Sequence, residues 1–327
     1  MNVKRIALFI LAFACLGSCF GCAGTKEPAE TETQAVTEAT VSQAAVEKLA
    51  GKSILFVGNS YTFYGHTVLR PGYTSLTQDQ RTGDQGYFYQ LCKILGAEVS
   101  VTNWTFGDHA LSDSLGHSCT REPCRGEDHL SYLTDRNFDY VVLQPYSADF
   151  SGDMNEYLQP MMDVFREANP DVKFILAVPH MAYDRYYNWI RRLSELDRSQ
   201  ITVCNWGKML ADIIDGTVQV PNGTQQYFRG SFVVSVSESD GHHQNVLVGY
   251  LTALMIYCAI TGDSAVGLPY NFCNDSTIRE EFNFEAFKQE KYVFEPVTNF
   301  IEIFQSPSDM AGLQQLVDQY IASPLGE

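Results

Sequence analysis

Ser60 is the residue whose type and position most directly suggest chemistry. It ends the tripeptide Gly58-Asn59-Ser60, which interrupts an apolar run at 53–57. A serine hydroxyl becomes an effective nucleophile only when a neighbouring base takes its proton during attack. The chain must therefore also supply a base and a group that orients it. Taken alone, the tripeptide is better explained as an ordinary turn after a strand.

The sequence Asp240-Gly241-His242-His243 contains the residue types that Ser60 would need. Histidine suits proton transfer because its ordinary pKa lies close to neutral pH. A carboxylate fixes the imidazole tautomer and stabilises the cation that forms. By residue type either histidine is a candidate base, and the four residues would also fit a surface turn. A metal site is disfavoured, since adjacent histidines rarely aim at one ion without further ligands.

The elements predicted between these residues alternate as in a parallel sheet covered by helices. Apolar runs bounded by turn residues predict strands at 53–57, 98–103, 140–144, 172–178 and 201–204. Helical patterns cover 86–95, 128–135, 154–168, 183–196, 208–214 and 244–261. Gly262 is expected to end the last of these helices. Open α/β sheets keep their ligand crevice at the carboxyl ends of the strands, which is where Ser60 falls.

The chain resembles the SGNH hydrolases of the GDSL-like superfamily, in a branch whose first block reads Gly-Asn-Ser. Ser60 matches the nucleophile of that block, and Asp240 and His243 match the final D-x-x-H. The resemblance thus implies His243 as base and Asp240 as orienting acid, with His242 one residue from the matching position. It covers about 53–262 and implies an α/β fold, a flavodoxin-like three-layer α/β/α sandwich with a mainly parallel sheet.

The resemblance also implies an oxyanion hole. Gly107, which follows the second strand, matches the glycine whose backbone N–H serves it. Where many members carry Gly-x-Asn-Asp after the third strand, this chain has Gln144. Gln144 is therefore the expected side-chain donor beside the N–H groups of Ser60 and Gly107, although it could instead satisfy local backbone. Asn59 is expected to hold the turn at Ser60.

Three side chains near these blocks are candidate substrate contacts: Tyr61, Tyr146 and His180, the last of which also fits a structural role. The resemblance implies ester hydrolysis through an acyl-enzyme, with no metal and no organic cofactor. Small acetyl-type esters on carbohydrate are the expected substrates, because no apolar lid segment suited to long acyl chains is evident. The alternatives are a surface protein that binds a glycan in the same crevice without catalysis, and a transferase that uses the same triad.

The N-terminus predicts export. Lys4 and Arg5 precede an apolar run at 6–16, too short to span a bilayer stably, and Gly17-Ser18-Cys19 follows. This pattern resembles a bacterial lipobox, which predicts a signal peptide at 1–18 and lipidation of Cys19. An ordinary cleaved signal is the alternative. Two acyl chains give stable attachment, so we expect a lipid-anchored protein at the bacterial cell surface or on the periplasmic side of a membrane.

Composition changes on either side of the hydrolase-like region. Residues 19–48 are rich in Ala, Thr, Glu and Gln, which predicts a flexible acidic linker. The hydrolase-like domain is expected at 49–265. Residues 266–327 are expected to form a C-terminal helical extension packed on that domain, with helices at 278–287 and 313–321.

The whole-chain composition describes a folded protein. Of 327 residues, 45% are hydrophobic and 19% are charged. The formal net charge of −17 argues against a nucleic-acid partner, because little cationic surface is available to replace phosphate counterions. Among nine cysteines, Cys119 and Cys124 could close a small disulfide loop, with a zinc site as the weaker alternative. Three others are expected to be buried small hydrophobes: Cys92, Cys204 and Cys258.

Overall fold

The computed structural model describes residues 42–63, 65, 67–68, 86–107, 109–115, 137–146, 149, 154–179, 201–227, 231–234, 243–274 and 306–322. All of them belong to one compact unit, Thr37–Glu327. The separate unit Met1–Val36, with Cys19, lies outside the described residues. So do Cys119, Cys124 and the helices predicted at 128–135, 183–196 and 278–287.

Five parallel strands form the central sheet. In chain order they are β1 Lys52–Gly58, β2 Val99–Thr105, β3 Tyr140–Leu143, β4 Lys173–Ala177 and β5 Ile201–Cys204. Their spatial order is β2-β1-β3-β4-β5, with β1 paired to β2 on one side and to β3 on the other. This is the flavodoxin-like order, whose switch point lies between β1 and β3. The predicted strands and fold class are confirmed, with small shifts at the strand ends.

Helices cover both faces of the sheet. They are α1 Gln43–Leu49, α2 Ser60–Phe63, α3 Tyr87–Ile94, α4 Met154–Ala168, α5 Trp206–Ile214, α6 Val246–Thr261 and α7 Pro307–Ala322. Successive strand side chains point to opposite faces, so β1 sends Ile54 and Phe56 one way and Leu55 and Val57 the other. The first face packs against α1, α3, α5, α6 and α7, and the second packs against α4.

Helix α6 is enclosed by other elements of the first face. All of its residues except Ala259 are buried, and its sequence is apolar along most of its length, as expected of a helix that contacts protein on every side. Gly262 ends it in the left-handed conformation, which confirms the predicted terminus. The predicted start at 244 is wrong. The Asn245 side chain caps the helix by accepting the Val248 N–H at 3.2 Å, so Gln244 stays extended.

Helix α1 occupies part of the segment predicted as a flexible linker. Ala45 and Leu49 are fully buried in the core of the first face. The Ser42 hydroxyl donates to Asp263 at 2.8 Å, and the Lys48 ammonium donates to the Thr261 carbonyl. The two apolar side chains lie on one face of the helix and are buried together. Composition alone does not show this arrangement. The linker prediction is therefore corrected for residues 42–48.

Helix α7 is longer than the helix predicted at 313–321 and packs against α5 and α6. Asp309, in its first turn, is fully buried. Its carboxylate accepts bonds from the Thr224 N–H at 3.0 Å and hydroxyl at 2.7 Å, from the Gln225 N–H at 3.1 Å and from the Tyr227 hydroxyl at 3.0 Å. The C-terminal helix is thereby fixed to the segment that follows α5.

The described part of the chain contains no helix that combines the length and the apolar character needed to cross a membrane. Within the same residues no cluster of His, Cys, Asp and Glu is arranged to hold a metal ion. The cysteines of the described residues, Cys92, Cys204, Cys258 and Cys273, are all buried. The prediction that the first three act as small hydrophobes is confirmed, since each belongs to the first-face core.

Candidate active site

Ser60 lies at the switch point of the sheet. Strand β1 ends at Gly58, and Ser60 begins the single turn of α2 directly after it. The turn is closed by the Thr62 N–H, which donates to the Asn59 carbonyl at 2.9 Å. Ser60 is 5% exposed, so its hydroxyl is largely shielded from bulk water. A serine held by a rigid strand at this edge has the fixed position that a nucleophile requires.

Asn59 connects the turn at Ser60 to the loop that follows β2. Its side-chain oxygen accepts the Tyr61 N–H at 3.1 Å, and its nitrogen donates to the His109 carbonyl at 3.0 Å. The side chain is fully buried and uses both ends of its amide. The expectation that Asn59 holds the local backbone is confirmed, and the bond to His109 extends its role beyond the turn.

Gly107 lies in the loop after β2, close to the end of β1. The preceding residue, Phe106, donates its N–H to the Gly58 carbonyl at 3.1 Å. Gly107 itself is exposed, and a β-carbon added there would meet no atom within 4 Å. The loop thus reaches the strand edge that carries Ser60. The use of the Gly107 N–H for an oxyanion stays a prediction.

Gln144 follows β3 and lies beside the end of β1. Its N–H donates to the Val57 carbonyl at 2.9 Å. Its side-chain oxygen accepts the Thr62 hydroxyl at 2.9 Å, and its side-chain nitrogen donates to the Pro145 carbonyl. The local bond to Pro145 occupies one of the two N–H groups of the amide. Gln144 is thereby bonded to the helical turn that begins at Ser60, and its role as an oxyanion donor stays a prediction.

His243 reaches the same region from the far end of the chain. It lies on β7 His243–Gln244, which pairs antiparallel with β6 Val233–Val234. Strand β7 contacts α2, and the His243 ring lies 5.8 Å from the Tyr61 ring, centroid to centroid. The side chain is half-buried. Ser60 and His243 are thereby brought to neighbouring elements at one edge of the sheet.

Asn245 fixes the position of β7, the strand that carries His243. Its side-chain nitrogen donates to the Ser231 carbonyl at 2.8 Å, and its backbone N–H donates to the Phe232 carbonyl at 3.0 Å. Because Asn245 also caps α6, the histidine is attached to the most deeply buried helix of the molecule. Asp240 and His242 lie outside the described residues, so the complete triad stays a prediction.

The predicted substrate contacts differ in their surroundings. Tyr61 is 4% exposed, and its ring packs beside His243, so little of the ring remains for stacking on a substrate. The use of Tyr61 as a substrate contact stays a prediction, and its ring lies beside the histidine. Tyr146 is half-buried and lies after β3, and its use as a substrate contact stays a prediction. His180 lies outside the described residues.

Asp149 organises the walls of the crevice and was not identified from the sequence. Its carboxylate accepts the Leu111 N–H at 2.9 Å, the Tyr146 N–H at 2.8 Å and the Ser112 N–H at 3.3 Å. It therefore joins the loop after β2 to the loop after β3. Burial raises the pKa of Asp149, and these backbone bonds oppose that rise by favouring the carboxylate. A lone aspartate in a polar loop carries no sequence signal for such a role.

Comparison with known proteins gives no family assignment. No family model matches the chain, and no curated protein matches it. Among solved structures, a family two carbohydrate esterase from Clostridium thermocellum, determined in complex with cellohexaose, is 14% identical with a TM-score of 0.36. The match covers 64% of this chain and 64% of that one, so the chain spans less than two thirds of the length of that enzyme.

Two further solved structures are similar at the same level. An acetylxylan esterase from Geobacillus stearothermophilus is 15% identical over 66% of this chain and 97% of that one, with a TM-score of 0.41. A protein from Parabacteroides merdae, provisionally assigned as a GDSL-like lipase, is 15% identical over 65% of this chain and 96% of that one, also at 0.41. These values are too low to carry an argument about function. The fold assignment rests on the strand order, and any function must rest on the site.

Proposed function

We propose that this protein is a serine esterase that hydrolyses small, acetyl-type esters on carbohydrate. The observation that supports the proposal is that the strand carrying His243 contacts the helical turn that begins at Ser60. Ser60 follows β1 directly, and His243 lies on a strand that contacts the turn of Ser60. A serine and a histidine from distant parts of the chain at the ligand-binding edge are the components of nucleophilic acyl transfer.

In the proposed reaction, the Ser60 hydroxyl oxygen attacks the ester carbonyl while His243 takes the hydroxyl proton. The resulting oxyanion is held by the N–H groups of Ser60 and Gly107 and by the Gln144 amide. Collapse of the intermediate breaks the bond to the alcohol, which receives the proton from His243. Water then attacks the acyl-enzyme by the same steps, and Asp240 orients the imidazole throughout.

The preference for a small acyl group is supported by the tight packing beside the nucleophile. Ser60 is 5% exposed, and the neighbouring Thr62 and Gln144 are 3% and 2% exposed. An acetyl group needs little space next to Ser60, whereas a long acyl chain needs an extended apolar channel. A carbohydrate as the alcohol is supported by the half-buried Tyr146 after β3, because a tyrosine combines a ring face with a polar hydroxyl.

The proposal is tested with Ser60→Ala in the full chain, using an acetylated xylan, p-nitrophenyl acetate and a fluorophosphonate probe. We expect the wild type to release acetate and to be labelled at Ser60. The variant should lose labelling, and its turnover should fall by roughly 10⁴- to 10⁶-fold, the range that loss of a triad residue costs. Ser53→Ala, at the opposite end of β1, is the matched control and should keep both activities.

The outcomes of this test separate the alternatives. A wild-type protein that neither hydrolyses nor labels, yet binds the glycan equally well with and without Ser60→Ala, would be a carbohydrate-binding protein. Labelling with acyl transfer to an added alcohol but not to water would indicate a transferase. Release of long acyl chains in preference to acetate would contradict the substrate proposal while leaving the esterase in place.

We also propose that the mature protein is anchored through a lipidated Cys19, on the exported side of a bacterial membrane. The support is the apolar run at 6–16 and the small residues before Cys19. Metabolic labelling with a radioactive fatty acid should mark the wild type. Cys19→Ala should abolish that label, and a variant that retains it would contradict the assignment.

A further inference from the structure

We infer that Thr62 is a positioning residue that fixes the side-chain amide of Gln144 for oxyanion binding. The inference rests on the proposed esterase function and adds to it the group that controls the unusual glutamine. Thr62 lies two residues after Ser60 on the turn of α2, and Gln144 lies at the end of β3. The two side chains therefore meet at the switch point of the sheet, next to the proposed nucleophile.

Thr62 holds the oxygen end of the Gln144 amide. Its hydroxyl donates to the Gln144 side-chain oxygen at 2.9 Å, in an environment where both residues are almost fully buried. The Pro145 carbonyl can only accept, so it takes the amide nitrogen, and the Thr62 hydroxyl, which can donate or accept, donates to the amide oxygen. The nitrogen end is therefore turned away from Thr62.

The nitrogen end retains a donor for a substrate. One N–H of Gln144 donates to the Pro145 carbonyl, and the hydrogen bonds of the described residues assign no acceptor to the other. A buried N–H without an acceptor costs free energy unless a ligand supplies the acceptor. An oxyanion is an acceptor that forms only during the reaction, and a donor already fixed in place stabilises it without reorganisation.

Gly58 permits this contact. A β-carbon at position 58 would lie 2.9 Å from the Gln144 β-carbon and 2.9 Å from the Thr62 hydroxyl oxygen. Distances under about 3 Å are shorter than carbon–carbon contact allows, so any larger residue would push the two side chains apart. The absence of a side chain at Gly58 thus lets β3 bring Gln144 close enough to bond with Thr62.

Gln144 is longer than the asparagine that the family resemblance leads us to expect at this position. Its amide therefore needs the support that Thr62 gives. Glutamine has one more rotatable bond than asparagine, so its amide can adopt more positions around the strand end. Thr62 and Pro145 hold the two ends of that amide. The pair therefore supplies the rigidity that the shorter side chain would have had.

The experiment is a double-mutant cycle on steady-state hydrolysis of p-nitrophenyl acetate. The variants are Thr62→Val, Gln144→Met, the double variant and Thr62→Ser. Thr252→Val is the matched control. Thr252 is also buried, and its hydroxyl donates to the Val248 carbonyl within α6, away from Gln144. Thermal unfolding of every variant accompanies the kinetics, so that loss of fold is separated from loss of function.

We expect Thr62→Val to lower kcat by about tenfold with little change in KM, the effect of losing one hydrogen bond that acts on the transition state. Thr62→Ser keeps the donor and should restore most of the rate. Gln144→Met should lower kcat by roughly 10²- to 10³-fold. The double variant should be no slower than Gln144→Met, because without the amide Thr62 has nothing to orient.

Contrary results are distinct from one another. If the wild type is active but Thr62→Val matches Thr252→Val in kcat, the inference about Thr62 fails and the esterase stands. If the losses of Thr62→Val and Gln144→Met simply multiply, Thr62 acts on something other than Gln144 and the inference fails again. A wild-type protein with neither turnover nor fluorophosphonate labelling overturns the proposed function and this inference together.

Discussion

Two glycines next to the proposed nucleophile serve different physical purposes. Gly58 is required for space, because a β-carbon there would collide with Gln144 and Thr62. Gly107 has open space around it, and its φ is not in the left-handed region. Neither space nor backbone conformation explains a glycine at position 107. What the position can offer is its backbone N–H.

We therefore expect Gly107→Ala to keep nearly all activity, because it retains the N–H and its methyl group meets no neighbour. Gly107→Pro removes the N–H and should lower kcat by roughly 10²- to 10³-fold, as loss of an oxyanion donor does. The measurement is kcat and KM for acetate release, with thermal unfolding as the check on folding. Equal activity of the two variants would exclude the Gly107 N–H from the oxyanion site.

The residues of the site that could be predicted are those whose role is local. Asn59 holds the Ser60 turn through its Tyr61 neighbour, and an asparagine beside a turn suggests this in any sequence. Thr62 and Asp149 could not be identified in the same way. Their partners belong to other strands and loops, and a single sequence does not state which side chains meet across a sheet.

At the scale of elements, the carboxylate of Asp309 joins the first turn of α7 to the segment that follows α5. Burial acts to raise the pKa of Asp309, but the bonds from Ser306, Thr224, Gln225 and Tyr227 outweigh it, and the net pKa is lowered. A carboxylate with a lowered pKa contributes stability above its unfolded-state pKa, and that contribution is lost as pH falls through the folded pKa. Neutral pH therefore retains the full contribution, and acid removes it.

Asp309→Asn should accordingly lower the free energy of unfolding at pH 7 by about 1–3 kcal/mol, because an amide nitrogen would face several donors. The deficit should shrink as pH falls below about 4, because the carboxylate of the unfolded wild-type chain then begins to bind a proton. Denaturant unfolding at pH 7 and pH 3.5 measures both values. Asp171→Asn, at an exposed turn before β4, is the control. A deficit that does not change with pH would contradict the ionic contribution.

The elements themselves were predicted where their apolar pattern is continuous. Strands of a parallel sheet are covered on both faces, so β1, β3 and β4 appear as uninterrupted apolar runs. Helix α1 was missed because its sequence is polar apart from a few small and aliphatic residues, and contacts with distant parts of the chain, such as Asp263 and Thr261, stabilise it. The start of α6 was misplaced because a side-chain cap, and not hydrophobicity, sets it.

At the scale of the whole molecule, the core of the first face holds every cysteine whose structure is described. Burial raises the pKa of the Cys92 thiol and of the Cys204 thiol to about 12. Burial likewise raises the pKa of Cys258. Thiolates are the reactive form, so these side chains are protected both by lack of access and by protonation. Their modification can report opening of this core.

We expect iodoacetamide at pH 8 to alkylate Cys92 and Cys204 roughly 10³ times more slowly in the native protein than in guanidinium chloride, from the change in thiolate fraction alone. Peptide mass spectrometry over time gives the rate at each cysteine. A surface variant, Asp171→Cys, should react at the ordinary rate and controls for reagent quality. Rapid native alkylation of Cys204 would mean that the core under α6 opens readily.

The burial of α6 among other elements also determines when, during synthesis of the chain, the surroundings of Ser60 can form. Strand β1 ends two residues before Ser60, the proposed nucleophile, and is made early, but the helix that covers its first face ends only at Thr261. Ser42 and Asp263, which bond to each other, are separated by 221 positions. Contacts between such distant segments make folding slow, because the entropy of closing a long loop is lost before the contact can stabilise the chain. Ser60 therefore acquires its environment only after nearly the whole chain has been synthesised, so a partly made chain has no working site.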